Sequence, residues 1–375
     1  MKNLLSMLPR RDRRLFGSGR FVAGAALCIC FSLDSGALAR EEEPLAPSTF
    51  TTFDVPGASD IYAEAINKTG TITGEFYDAS SLSHGFVRNP SGAITTFDIP
   101  GEGASGGTYA RGINGAGVVS GWYFEANTGA HGFVRHVNGS VKKFSAPGAA
   151  LGTFAVSINT AGSLTGYYID ASNVIHGFLR SPDGAIATFD APGAGTGESQ
   201  GTRGSSINAT GSVAGYYADA TGAYHGFVRS AGGAITTFNA PGAGGAAYQG
   251  TSISGINGGG SVTGIYIDAR SAWHGFVRSA GGAITTFDAP GAAPGGTAPT
   301  CINDGRSIAG YYGDAGNAVH GFVRAPGGAI TTFDVPGAGS GSGQGTYGLS
   351  INAGGSVAGS YLDASYAWHG FVRTP

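Results

Sequence analysis

The sequence predicts an all-β fold: a seven-bladed β-propeller with four antiparallel strands per blade, the last blade closed by the N-terminal strand. Three observations carry this expectation. An Ile-Asn pair, a His-Gly-Phe triplet and a Phe preceded by Thr or Lys recur seven times. Two of the distances between these landmarks are fixed, and all length variation falls in one connection. The repeat is also divided between the ends, with "FTTFD" (Phe50 to Asp54) opening the array and "HGFVRTP" closing it.

The Ile-Asn pairs start at Ile66, Ile113, Ile158, Ile207, Ile256, Ile302 and Ile351, and each Ile stands 18 residues before a His. Each of the first six His stands 13 residues before the landmark Phe, whereas the step from Phe to the next Ile ranges from 13 to 18. Runs such as "SVAGYY", "HGFVR" and "AITTF" are rich in β-branched and aromatic residues, and turn compositions such as "INATG", "DATGA" and "SAGG" separate them. Each unit therefore reads as strand a, ending at Ile-Asn, strand b (such as Ser212 to Tyr217), strand c (HGFVR) and strand d (TTF). Tight turns fix hairpin register, and one inserted residue would send every side chain to the opposite face, so these spacings are rigid. The elastic segment, "DAPGAGTGESQGT" in one copy, is the crossing between units. A lone four-stranded sheet cannot bury both faces, so units of this length stack, and a ring leaves no exposed end sheet. A parallel β-helix has shorter coils and no reason to divide a hairpin between its ends.

The expected domains are a signal peptide over 1–39, a linker over 40–49 and the propeller over 50–375. Five arginines from Arg10 to Arg20 precede the apolar run Phe21 to Leu33, and "GALA" ends at Ala39, the three regions of a secretory signal. "RRLF" (Arg13 to Phe16) loosely fits a twin-arginine signal. The apolar run is too short to span a bilayer comfortably, so no membrane span is expected after cleavage. "REEEPLAP" (Arg40 to Pro47) has a linker's composition. The expected location is secreted or periplasmic, and the expected state a monomer.

Removal of residues 1–39 leaves 15 basic and 22 acidic side chains, a net charge of −7. Binding a phosphate backbone needs a basic face, so nucleic acid is excluded as an expected partner. Cys28 and Cys30 leave with the signal, which leaves Cys301 alone and no intrachain disulfide.

The repeated polar residues read as structural. Each His has an acid six residues earlier (Asp78, Glu125, Asp170, Asp219, Asp268, Asp314, Asp363), placed to accept from the imidazole or to cap the b–c turn. A residue that every blade needs holds every blade together, and ring symmetry keeps the imidazoles apart, so no metal, cofactor or catalytic residue is expected. The Asn of each Ile-Asn pair suits the a–b turn. The arginines ending strand c (Arg88, Arg135, Arg180, Arg229, Arg278, Arg324, Arg373) read as solvated heads on buried stems. The "PGAGxG" strings have no following helix that could present phosphate-binding amides.

The units are informative where they disagree. Just before the His stand Ser83, Ala130, Ile175, Tyr224, Trp273, Val319 and Trp368. Tyr224, Trp273 and Trp368, expected at exposed turns beside the variable crossings, are the candidate ligand-binding residues, suited to stacking on sugar rings or on apolar parts of a partner. The competing reading is that they only cover their own loops.

With "INxxGxxxG", "HGFVR" and a following d strand, the units resemble the HAF repeat, found in predicted extracellular bacterial proteins and named for a His-Ala-Phe triplet. The resemblance covers Phe50 to Arg373, with His-Gly-Phe in place of His-Ala-Phe and a "TTFD-x-PG" ending. It implies an exported repeat protein and carries no catalytic residues.

The leading function is a non-catalytic binding module or scaffold that recognises a glycan or extracellular protein through its loop face. The alternative is a propeller enzyme, a glycan lyase or hydrolase. Glu64, Glu75, Glu102 and Glu198 lie outside the repeated acid position, scattered over strand and loop types with no sign of two groups facing one substrate.

Overall fold

The computed structural model describes residues 48–125, 128–293 and 296–375, so the expected signal peptide and most of the expected linker lie outside the described residues. The described chain is all-β, with 28 strands. The first, β1, is Thr49–Phe53. Set 1 is β2 (Asp60–Ile66), β3 (Ile72–Tyr77), β4 (Ser83–Arg88) and β5 (Ile94–Phe97). Set 2 is β6 (Glu102–Ile113), β7 (Val119–Glu125), β8 (Gly129–Arg135) and β9 (Val141–Phe144). Set 3 is β10 (Gly152–Ile158), β11 (Leu164–Ile169), β12 (Ile175–Arg180) and β13 (Ile186–Phe189). Set 4 is β14 (Gly201–Ile207), β15 (Val213–Ala218), β16 (Tyr224–Arg229) and β17 (Ile235–Phe238). Set 5 is β18 (Gly250–Ile256), β19 (Val262–Ile267), β20 (Trp273–Arg278) and β21 (Ile284–Phe287). Set 6 is β22 (Thr297–Ile302), β23 (Ile308–Gly313), β24 (Val319–Arg324) and β25 (Ile330–Phe333). The final strands are β26 (Gly345–Ile351), β27 (Val357–Leu362) and β28 (Trp368–Thr374).

Within a set, consecutive strands pair antiparallel, as β14, β15, β16 and β17 do. β28 takes β1 as its outer partner, from Thr49↔Thr374 to Phe53↔Gly370. Thr49, expected in the linker, is thus already in a strand, because its partner Thr374 extends β28 beyond Arg373. Each a strand lies against the a strands of both neighbouring sets, β2 against β26 as well as β6, so the a strands are the inner strands of the array. Among the described residues no helix is long and apolar enough to cross a membrane.

The elastic crossing is pinned at its ends. Gly250 bridges Tyr224 in parallel, with φ +113° and space for no side chain, since a Cβ would sit 2.0 Å from the Tyr224 carbonyl oxygen. The next residue, Thr251, accepts from the Ala240 amide through its hydroxyl at 2.8 Å, and Thr202 does the same for Ala191 at 2.9 Å. Only the tip between these anchors is free to vary.

The core lies between sets. The d-strand Phe of one set meets the c-strand Phe of the next edge-on, as in Phe97–Phe133 (6.2 Å) and Phe189–Phe227 (5.9 Å). Phe53 of β1 meets Phe86 of set 1 in the same way at 6.1 Å. Such pairs contribute about 0.5–1.5 kcal/mol each beyond area burial. The same Phe packs against the glycine of His-Gly-Phe, and a Cβ on Gly370 would come within 2.4 Å of the Phe53 ring.

The c-strand arginines are not solvated heads. Each guanidinium carbon lies 4.5–5.2 Å from the centre of the d-strand Phe ring of the preceding set, with Arg88 over Phe53 and Arg373 over Phe333. Arg88, Arg180 and Arg324 are buried. A planar, weakly hydrated guanidinium stacks on a ring at little desolvation penalty, which the solvated reading overlooked.

The Asn of each Ile-Asn pair caps its turn as expected and also reaches out of it. Asn208 Oδ1 accepts from the Ser212 amide at 2.9 Å, while its Nδ2 donates to the Asn257 carbonyl at 3.1 Å. The same donation runs from Asn67 to Asn114, to Asn159 and to Asn208, then from Asn257 to Asn303 and Asn352, at 3.0–3.2 Å. Asn352 donates back to Asn67 at 3.2 Å.

Candidate functional site

The repeated histidines are held from two sides. His225 Nε2 meets Asp219 at 3.1 Å, and the corresponding contacts in the other sets span 3.4–3.8 Å, as the spacing of six predicts. The shorter bond is one the sequence reading missed: Nδ1 pairs with the residue after the d-strand Phe, at 2.7 Å for His84–Asp98 and His369–Asp54. In two sets that residue is Ser145 or Asn239, so the position needs an acceptor and not a charge. The acid also caps its turn, Asp219 Oδ1 accepting from the Thr221 and Ala223 amides. Desolvation pulls the His84 imidazole down, but its bonds to Asp98 and Asp78 outweigh that and the net shift is upward. Each imidazole also meets a b-strand ring, stacked as His225 is on Tyr217 at 4.9 Å or, for His131 on Tyr123, tilted at 5.7 Å, so this network is architecture.

Tyr224, Trp273 and Trp368 do not stand on exposed turns. Each is the first residue of its c strand and pairs with the last residues of the b strand (Ala218, Ile267, Leu362), which leaves all three half-buried. Strand c starts one residue earlier than the HGFVR pattern implied, and that residue goes into the sheet. Trp368 packs between Tyr62 (5.3 Å) and Tyr347 (5.0 Å), and Tyr224 against Tyr216 (5.4 Å) and Tyr248 (6.3 Å). Among the described residues no ring contact joins Tyr224 to Trp368.

The exposed aromatics are others. Tyr248 in a crossing is 69% exposed and Tyr366 in a b–c turn 60% exposed, with φ of 65° and 64°. Left-handed backbone is unfavourable for a bulky side chain, and the related turn positions hold Ser81, Asn173 and Ser271 with φ of 62–65°. A tyrosine flanked by small residues, "AAYQG" and "ASYAW", was the available sequence signal.

Nor are Glu64 and Glu75 scattered. Arg111 on β6 binds Glu64 at 2.7 Å and Glu75 at 2.8 Å, joining sets 1 and 2 through a buried ion cluster. Burial pulls the Arg111 guanidinium down, but Glu75 and Glu64 outweigh it and the net shift is upward. Both Glu64 and Arg111 lie at β-bulges, where the alternation of faces breaks and sequence cannot assign a side. Glu198 lies apart, exposed in the crossing between sets 3 and 4.

From this cluster an aromatic run follows one register position around the inner two strands. Arg111 lies over Trp122 at 4.6 Å, and Trp122 stacks on its cross-strand partner Tyr109 at 5.6 Å. Trp122 then meets Phe154 of set 3 (5.6 Å), and Phe154 stacks on its partner Tyr167 (4.9 Å). Arg203 follows, 5.8 Å from Tyr167 and 5.6 Å from its partner Tyr216. Tyr216 leads to Tyr224 and so to exposed Tyr248. Burial pushes the Tyr167 and Tyr224 hydroxyls up to about 12, so both remain donors at neutral pH.

Among solved structures the chain is similar to a streptogramin B lyase, at 13% identity and a TM-score of 0.57, over 88% of this chain and 98% of that one. It is also similar to an acylaminoacyl peptidase of Pyrococcus horikoshii (10% identity, TM-score 0.50), over 83% of this chain and 51% of that one, about half the peptidase's length. A fucose-binding lectin of Aleuria aurantia is matched at 12% identity and a TM-score of 0.41, over 74% of this chain and 94% of the lectin, too distant to carry an argument. What the first two share with this chain is a propeller-like fold. At these identities the likeness extends to the fold alone. No family model and no curated protein matches the chain.

Proposed function

We propose that the protein is an exported, monomeric, non-catalytic binding module built on a closed seven-bladed propeller, and that it holds a glycan on the aromatic run ending at Tyr224 and Tyr248. Closure is supported by the β1–β28 pairing and by the Asn series that returns from Asn352 to Asn67. Membership of the HAF-repeat family and export by a signal over 1–39 complete the reading, which places the protein outside the cell or in the periplasm.

The observation that carries the binding role is Tyr248. An exposed ring in left-handed backbone, held against Tyr224, has no packing reason to be a tyrosine, whereas a flat ring at an open edge suits the apolar face of a sugar. An acid–base enzyme could draw on Glu64 and Glu75, two carboxylates brought to one guanidinium. One guanidinium engages both of them in a buried cluster, an arrangement that ties two blades together.

The test is a glycan array probed with the exported chain, followed by calorimetric titration of the best ligand into wild type and Tyr248→Ala. Binding that weakens at least tenfold at unchanged melting temperature supports the reading. Unchanged affinity in the variant, or binding only to proteins, rejects this site.

A further inference from the structure

The arginines of this chain fall into groups by what they touch. Seven stack on Phe rings between blades, and Arg111 is neutralised by two carboxylates. Arg203 does neither. It lies on an inner strand, half-buried between the Tyr167 and Tyr216 rings, and among the described residues it makes no hydrogen bond or ion pair. The repeat does not require a cation there, since the matching position of the other inner strands holds Tyr62, Tyr109, Phe154, Ser252, Ala298 and Tyr347.

The polar side chains beside Arg203 include tyrosine hydroxyls able to donate. The hydroxyls of Tyr167, Tyr216 and Tyr224 likewise have no hydrogen-bond partner among the described residues, and the Tyr167 and Tyr224 hydroxyls both feel the charge of Arg203. The run also stops here. Trp122 and Tyr167 are each followed on the next inner strand by a large side chain, Phe154 and Arg203, but Tyr216 is followed by Ser252. One face of this group is therefore bounded by a small residue.

We infer that Arg203, with Tyr167, Tyr216 and Tyr224, recognises an oxyanion on the bound saccharide, so that the ligand is an acidic glycan bearing uronate carboxylates or sugar sulfates. This rests on the glycan reading above. A guanidinium set between two rings, 5.8 and 5.6 Å from their centres, carries a planar fork of N–H donors that suits a carboxylate or sulfate through two bonds at once. Its rings restrict its motion beforehand, so less freedom is lost on binding.

The experiment titrates the exported chain with glucose oligosaccharides, glucuronate-containing oligosaccharides of equal length, and their sulfated counterparts, using wild type, Arg203→Lys and Arg203→Met. Wild type should favour an acidic series over the neutral one at least tenfold, and whichever acidic series binds tighter assigns the anion. Arg203→Met should bring that ratio close to one, and Arg203→Lys should keep part of it. Should Arg203→Met fail to fold, Arg203→Lys and Tyr216→Phe carry the test, each lowering the ratio. Equal wild-type affinity for acidic and neutral series, or a ratio untouched by these substitutions, overturns the anion site and leaves glycan binding standing. Binding to no saccharide overturns both.

Discussion

Asn352 donates its Nδ2 proton to the backbone carbonyl of Asn67, 3.2 Å away and 285 residues earlier in the chain. Its Oδ1 meanwhile accepts from the Ser356 amide at 3.0 Å. One side chain thus forms its own turn and holds the next set of strands, and every Ile-Asn unit repeats the arrangement.

Replacing Asn352 by Asp separates the two tasks, since the carboxylate can still cap the turn but has no proton for Asn67. The bond is buried, so unfolding free energy should fall by about 1–3 kcal/mol. Chemical denaturation checks this. Stability equal to wild type would mean that the turn cap alone accounts for the residue.

Trp368 and Tyr248 should behave oppositely. Trp368 is wedged between Tyr62 and Tyr347, so Trp368→Ala should lower stability by about 2 kcal/mol, below the loss for a fully buried ring. Tyr248 is 69% exposed and in strained backbone, so Tyr248→Gly should leave the melting temperature unchanged or raise it slightly. Thermal unfolding of both variants is the measurement.

The turn acids make the fold acid-sensitive. Burial pulls the Asp219 carboxyl up, but bonds from Thr221, His225 and the turn amides outweigh it and bring it to about 2, against an ordinary value of 3.8. Asp78, Asp170, Asp268, Asp314 and Asp363 are shifted in the same direction. A depressed carboxyl stabilises the fold fully above its unfolded value, and the contribution is lost as pH falls through the folded value. Stability should therefore drop between about pH 4 and about pH 2. Asp219→Asn should make that drop shallower in urea unfolding at several pH values.

Much of the fold was legible because hairpin turns fix register and fixed register leaves fixed spacings. The strands, the six-residue His–acid pairing and the β1–β28 partnership all followed from counting. Contacts between blades were not legible, since Arg88 over Phe53 or Asn208 on Asn257 joins residues whose sequence distance reveals nothing about orientation. The bulges at Glu64 and Arg111 hid the ion cluster by breaking alternation. At the candidate site, Tyr224 was found for its chemistry and given the wrong exposure, while Tyr248 and Arg203 sit where the repeats differ and no template marked them.

The most direct test of the central claim, a ring closed by its own two ends, uses Thr49 and Thr374. Their hydroxyls are in hydrogen-bond contact across the β1–β28 pair, so cysteines at both positions bring two sulfurs together. Cys301 is buried, and a chain of residues 40–375 holds no other cysteine to compete. The account predicts that Thr49→Cys/Thr374→Cys, treated with oxidised glutathione, forms a disulfide within one monomer, giving a loss of two hydrogen atoms in the intact mass and a raised melting temperature that reductant reverses. Thiols that stay reduced in the folded monomer, or that link only between chains, would contradict it.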